Sequence, residues 1–172
     1  MRSANGDGGA ARTVIAGCVA GLSGAAAMAG TARLEQLITR RPSSFVPAHT
    51  LAHLLGLPGP DADRVARNLA MHFGTGAAAG VLRAVMAAAN LRGPWSSAMH
   101  TNLRLSIDQI LENATGVGAP PWTWPRDELV IDVVHKAAYA FVTGAIADHL
   151  IPAAAGSSAR RRGLGARLSG YA

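Results

Sequence analysis

Asp132, His135, Tyr139 and Thr143 recur at i, i+3, i+7 and i+11 and so share one face of a helix, in a chain otherwise rich in Ala, Val, Leu and Gly. An Asp-x-x-His pair is half of the carboxylate/histidine metal site built inside helical bundles, with Asp108 and Glu112 available for further oxygens. The same carboxylates and imidazole could instead pass protons or ions, because histidine titrates near neutral pH. A third reading is structural: Asp132 stands four residues ahead of Lys136, the favourable order for a helical ion pair, and His135 and Tyr139 hydrogen-bond to the segment 97–115. The structural reading ranks first, ion handling second and metal last, because ionisable groups buried in lipid are costly and frequently just pair with one another.

A second polar row supports the same ranking. His100, Arg104, Asp108 and Glu112 follow each other at i,i+4, opposite an apolar face of Leu103, Ile107, Ile110, Leu111 and Ala114. Arg83 lies with His72 in an apolar segment and needs a carboxylate, for which Asp108 or Glu112 is the candidate. The candidate buried network is therefore His72, Arg83, Arg104, Asp108, Glu112, Asp132, His135 and Tyr139. His49 and His53 also stand at i,i+4, but with no third ligand near in sequence they read as an exposed or interfacial pair.

The elements that must hold these residues are helical. Thr13–Ala32 is a run of twenty uncharged residues, and at ~1.5 Å per residue it covers a ~30 Å hydrocarbon core. Arg2 and Arg12 ahead of it and Ala27-Met28-Ala29 within it also resemble a signal peptide, but the helical pattern continues through Leu34, Leu37 and Ile38 and favours an uncleaved helix. The sequence predicts helices over about 13–39, 62–91, 97–115 and 126–151, with a short one from Pro47 to Leu55 and Asp61 as an N-cap. Residues 1–12 read as a disordered N-terminus and 153–172 as a basic flexible tail. The expected fold is all-α, a four-helix integral membrane bundle with Gly/Ala-rich helix packing.

The packing expectation rests on small residues four apart: Gly17 and Gly21, Gly76 and Gly80, and Ala140 and Gly144. They serve the bundle interior, or contacts with another copy or another membrane protein. A faint likeness between AGCVAGLSGAAAM and FGTGAAAGVLRAVM also hints at a duplicated hairpin. Cys18, the only cysteine, excludes an intrachain disulfide and reads as a small core residue.

Charge gives the partners. The 172 residues carry a formal net charge of +6, and all basic residues except Lys136 are arginine. These arginines are dispersed, which argues against nucleic acid; the one cluster, Arg160, Arg161 and Arg162 with Arg167, suits a tail beside anionic lipid. The expected partner is the lipid bilayer. With four crossings, seven arginines lie on the side of the termini and six on the other, a weak preference for cytoplasmic termini; if 97–115 lies on the surface, the tail instead joins the Arg33–Arg67 side.

Several segments together resemble a family of small bacterial integral membrane proteins, common in actinobacteria and distantly similar to the YagU-type inner-membrane proteins. They are AGCVAGLSGAAAM, RRPSSFVP, HFGTGAAAG and the turn GVGAPPW, with Asp132-x-x-His135 and Tyr139 behind it, across about Val14 to Leu150. This chain departs from the pattern at Lys136 and Ala140 and in its charged segment 97–115. The resemblance implies a four-helix membrane protein with no cofactor or catalytic residue to carry over, and a link to acid tolerance. The expectation is thus a multi-pass protein of the bacterial plasma membrane, not an enzyme, with a structural, accessory or stress-related role. The alternatives are a minimal proton or ion conduit through the Asp/Glu/His network and a membrane metalloprotein.

Overall fold

The computed structural model describes residues 4–59 and 62–153, and throughout them the secondary structure is helical. Five α-helices follow in order: α1 (Ala4–Thr39), α2 (Val46–Leu55), α3 (Arg64–Ala88), α4 (Gly93–Ala114) and α5 (Arg126–Leu150), with a single 3-10 turn at Pro121–Thr123. The count exceeds four because the short α2 is a helix in its own right, opened by Pro47 and closed by Gly56 in a left-handed conformation, φ 62°. The Asp61 cap and the Arg160–Arg167 tail lie outside the described residues.

One boundary is corrected outright. The stretch expected to be disordered up to residue 12 belongs to α1 from Ala4 onward. Nothing between Ala4 and Thr13 is a proline, and once a long packed helix exists each added residue gains a hydrogen bond at little cost. Thr13 contributes by donating its hydroxyl to the Gly9 carbonyl at 3.0 Å.

Glycine decides how the helices meet. A Cβ on Gly17 would stand 2.5 Å from the Val81 Cα, and one on Gly80 would stand 2.5 Å from the Gly21 Cα, so α1 and α3 touch backbone to backbone. Gly76 meets Ala25 on the same seam, and Gly24 meets Tyr139 and Thr143 of α5. α1 therefore runs against both α3 and α5, and its N-terminal part meets the C-terminal parts of both. Such close approach of small residues gives the helices extensive dispersion contact between their backbones.

That antiparallel pairing has a topological consequence. α3 and α5 both run opposite to α1, so they run parallel to each other, and the chain must return along the bundle between them. α4 makes the return: Arg92 and Gly93 at its start bond the end of α5, while Asp108 in its C-terminal half pairs with Lys136 in the N-terminal half of α5.

The molecule is apolar outside and polar inside. The largest fully buried side chains are Arg83, Tyr139, His100, Thr50 and Thr143, whereas Val14, Ile15, Val19, Leu82, Val85, Val130, Val134 and Phe141 point outward. α1, α3 and α5 are each long and apolar enough to cross a membrane. α4 falls short of that composition, yet Trp95, Met99, Leu103 and Ile110 are exposed along one side of it. Its exposed Asn102, Ser106 and Asn113 side chains each donate to a carbonyl four residues back on α4 itself.

Candidate functional site

The polar residues of three helices converge on a cavity of about 550 Å3 that opens at the bundle end where α1 finishes and α5 begins. Arg33, Glu35 and Arg41 border it from α1 and the loop after it, Trp124 and Glu128 from the approach to α5, and Glu112 from α4. It descends between the helices to Thr75, Arg104 and Lys136, which lie near the middle of α3 and α4 and inside α5. The space is a vestibule, open at one end of the bundle and blind at the other.

Its floor is an ion-pair chain. Lys136, 4% exposed, lies against the Asp132 carboxylate one turn earlier and 3.5 Å from Asp108 Oδ2. Asp108 in turn pairs with Arg104, whose Nη2 lies 3.2 Å from Oδ1 and donates to the Thr75 hydroxyl at 2.9 Å. Low dielectric makes each of these charges expensive alone, so the two cations and two carboxylates hold one another in place. Glu112 lines the wall above them with no ion-pair partner among the described residues, and its carbonyl accepts from Val117 and Gly118 N–H at 3.0 Å to close α4.

Below the floor stands Tyr139. Its hydroxyl donates to the Gly76 carbonyl at 2.6 Å, its ring lies 5.3 Å from the Arg104 guanidinium and 5.7 Å from the His100 ring, and it is sealed on the α1 side by Gly24. A Cβ on Gly24 would stand 2.0 Å from the Thr143 hydroxyl and 2.7 Å from the Tyr139 carbonyl, so no larger residue fits there. Tyr139 is the plug.

At the far end a second cluster ties the helices together. Arg83 donates to Asp148 Oδ1 at 2.8 Å and to the Leu91 carbonyl at 3.3 Å, while Gly93 N–H donates to Asp148 Oδ2 at 2.8 Å. Arg92 donates to the Asp148 and Ile151 carbonyls at 2.7 and 2.8 Å, which caps α5 with positive charge at its negative end.

The expected network is thus two clusters rather than one. Arg104, Asp108, Glu112, Asp132, His135 and Lys136 share the vestibule, as does His72, whose Nε2–H donates to the Ala25 carbonyl at 2.9 Å. Arg83 does not pair with Asp108 or Glu112; Asp148 is its partner, because Arg83 lies two turns nearer the C-terminus of α3 than Thr75, and the parallel α5 brings Asp148 level with it. Tyr139 bonds α3 instead of α4, and His135 turns toward the vestibule without a hydrogen bond to α4. The inner stripe of α5 is Asp132, Lys136, Tyr139 and Thr143, so Lys136 occupies the place that sequence spacing gave to His135.

Two residues outside the sequence-derived set matter here. They are Arg92, the N-cap of α4, and Asp148, in the last turn of α5. The signal for Asp148 was present, as the one acid in the last turn of an apolar helix. His49 and His53 are exposed on α2, and among the described residues no group of three His, Cys, Asp or Glu is arranged to hold a metal. Comparison with protein-family models, with curated protein sequences and with solved structures finds no match to this chain.

Proposed function

We propose that this chain is a four-crossing integral membrane protein, α1, α3, α4 and α5 being the crossings, which admits a small charged solute from one side of the bilayer to mid-depth. The vestibule carries this reading: a wet, charge-lined space that reaches the middle of a bundle whose outer surface is apolar costs too much to be an accident of packing. Trp95 and Trp122, 78% and 85% exposed, stand at opposite ends of α4 and the turn that follows it, about 30 Å apart along a helix of this length, as interfacial anchors do. The arginine-dominated, Ala/Gly-rich composition and the YagU-like segments support a bacterial plasma membrane, with α4 as the polar member of the bundle.

A second reading has its own observation. The floor charges satisfy one another, as in a structural or stress-related accessory protein whose polar network only fixes the helices. The narrower idea of a proton conduit through Asp108, Glu112, Asp132 and His135 is less well supported, since the Arg104 and Arg83 guanidiniums stand across a cation's route below the floor.

Cysteine labelling separates the two main readings. Cys18 is the only native thiol, so a Cys18→Ala background carries single probes cleanly. In membrane vesicles, Leu111→Cys and Ile131→Cys on the vestibule wall are expected to react with a small membrane-impermeant thiosulfonate, and Val134→Cys on the outer face to stay unreacted. Silence at both vestibule positions would leave only the accessory reading.

A further inference from the structure

With histidine counted as neutral, the charges that line the vestibule do not balance. On the floor and the wall above it, Arg104 and Lys136 face three carboxylates, Asp108, Asp132 and Glu112, all lining the one cavity. Ion pairs join the first four in a chain: Arg104 to Asp108 at 3.2 Å, Asp108 to Lys136 at 3.5 Å, and Lys136 to Asp132. Glu112, one turn beyond Asp108 on α4, is half-buried and has neither an ion pair nor a side-chain hydrogen bond among the described residues, although all four of those charges lie within its electrostatic reach. Gly118 fixes its place, since a Cβ there would stand 2.7 Å from Glu112 Cβ and 3.2 Å from Oε2. Two further buried oxygens of the lining, Asp132 Oδ2 and Asn68 Oδ1, have no donor. Nearer the mouth Arg33 and Arg41 match Glu35 and Glu128, so the lining as a whole is one positive charge short. A carboxylate without a counter-charge is costly in a low-dielectric interior, and the cavity beside Glu112 is where that charge would sit.

We propose that the vestibule binds a small alkylammonium ion, its charged head paired with Glu112 beside the Asp132–Lys136 ion pair.

An ammonium suits these oxygens because it only donates and they only accept. The alkyl part follows from the rest of the wall: Leu69, Met71, Leu111 and Ile131 line the same space, and Trp124 borders it near the mouth, where an aromatic face attracts a cation. A bare metal ion fits less well, because the space of about 550 Å3 is far larger than an ion and the described residues offer no group of three ligands to hold one. An anion would add to the excess of carboxylate. Arg104 also has two nitrogens without acceptors, Nε and Nη1, but its guanidinium lies over the Tyr139 ring, 5.3 Å from the centroid, an attraction that needs no acceptor.

The site rests on the reading of the vestibule as open from one side, while its test needs no membrane and no thiol label. Purified full-length protein in detergent is titrated with butylammonium chloride at pH 8, where imidazole is neutral and an alkylamine is still charged, and binding is read by calorimetry. Butanol and sodium butyrate, the same chain with a neutral and a negative head, are the controls. Wild type is expected to bind butylammonium saturably and neither control. Glu112→Gln, which keeps the size and removes the charge, is expected to weaken binding about tenfold or more, the scale of a lost hydrogen bond to a charge. Glu128→Gln at the mouth is expected to change it little; an equal loss there would mean attraction to overall charge and would overturn the site. Helicity and elution volume show whether each variant is folded, and if Glu112→Gln is not, the contrast of butylammonium with butanol on wild type decides. Absence of saturable binding, as when Glu112 simply carries a proton, or binding unchanged in Glu112→Gln, also overturns it. Vestibule cysteines that label while butylammonium fails to bind would sink the ligand and leave the vestibule standing.

Discussion

Asp148→Ala is expected to lower stability by about 3–5 kcal/mol, the cost of stranding a buried charge. Arg83 is 0% exposed and its Nη2 has this one carboxylate within 2.8 Å; the same side chain takes the Gly93 N–H that starts α4. Without it a guanidinium remains in a dry interior with one bond, to the Leu91 carbonyl at 3.3 Å, and the α3–α4 turn loses its tie to α5. Asp148→Asn keeps an acceptor and loses the charge, so a smaller loss is expected. The double change Arg83→Met with Asp148→Leu removes the charges together and should recover most of the loss, because well-packed apolar residues replace buried ion pairs at little net cost. Chemical unfolding in detergent, followed by helicity, measures all three. An Asp148→Ala protein within about 0.5 kcal/mol of wild type, the range of an ordinary surface change, would remove the clamp.

Lys136→Met is expected to be nearly as damaging, and for a different reason. Lys136 is the cation between Asp132 and Asp108, and its loss leaves two carboxylates facing each other across the vestibule floor with only Arg104 to balance them. Because these charges line an open cavity rather than a sealed core, the lower part of the about 3–5 kcal/mol range is expected. Adding Asp132→Asn to Lys136→Met deletes the uncompensated charge and should restore stability to near that of wild type. If Lys136→Met alone unfolds like wild type, or if Asp132→Asn brings no rescue, the three residues do not form the floor described above.

These two sites also mark how far the sequence could be read. The Asp132–Lys136 pair was legible because both partners lie one turn apart on one helix, where spacing alone fixes the distance. The Arg83–Asp148 pair was not, because it depends on α3 and α5 running parallel, a relation set by tertiary packing of α1 on α3 through Gly17, Gly21, Gly76 and Gly80 and on α5 through Gly24. The small-residue spacing announced that close contacts would exist, while which helix each one meets had to come from the fold. His135 was misplaced for a related reason: i+3 and i+4 both lie near the inner face, and the Asp108 carboxylate selects Lys136 for it. The N-terminal boundary failed on composition, since a Gly- and Ser-rich stretch reads as unstructured until it is continuous with a packed helix.

The vestibule itself had no signature in the chain, only its lining did. His72, Asp108, Glu112, Asp132 and His135 were all candidates from residue type and spacing, and the fold brings them to one end of the bundle. What the pattern could not supply is depth. That comes from α4 running back along α5, antiparallel to it, with its charged face turned inward.

The proposed crossing of α4 is open to a direct measurement. In intact and inverted vesicles carrying the Cys18→Ala background, Ser43→Cys after α1, Leu91→Cys between α3 and α4, and Ala119→Cys between α4 and α5 are each tested with an impermeant maleimide. Ser43→Cys and Ala119→Cys are expected to label from one side and Leu91→Cys only from the other. Labelling of Leu91→Cys and Ala119→Cys from the same side would mean that α4 does not cross, and the four-crossing bundle with its mid-depth vestibule would be contradicted.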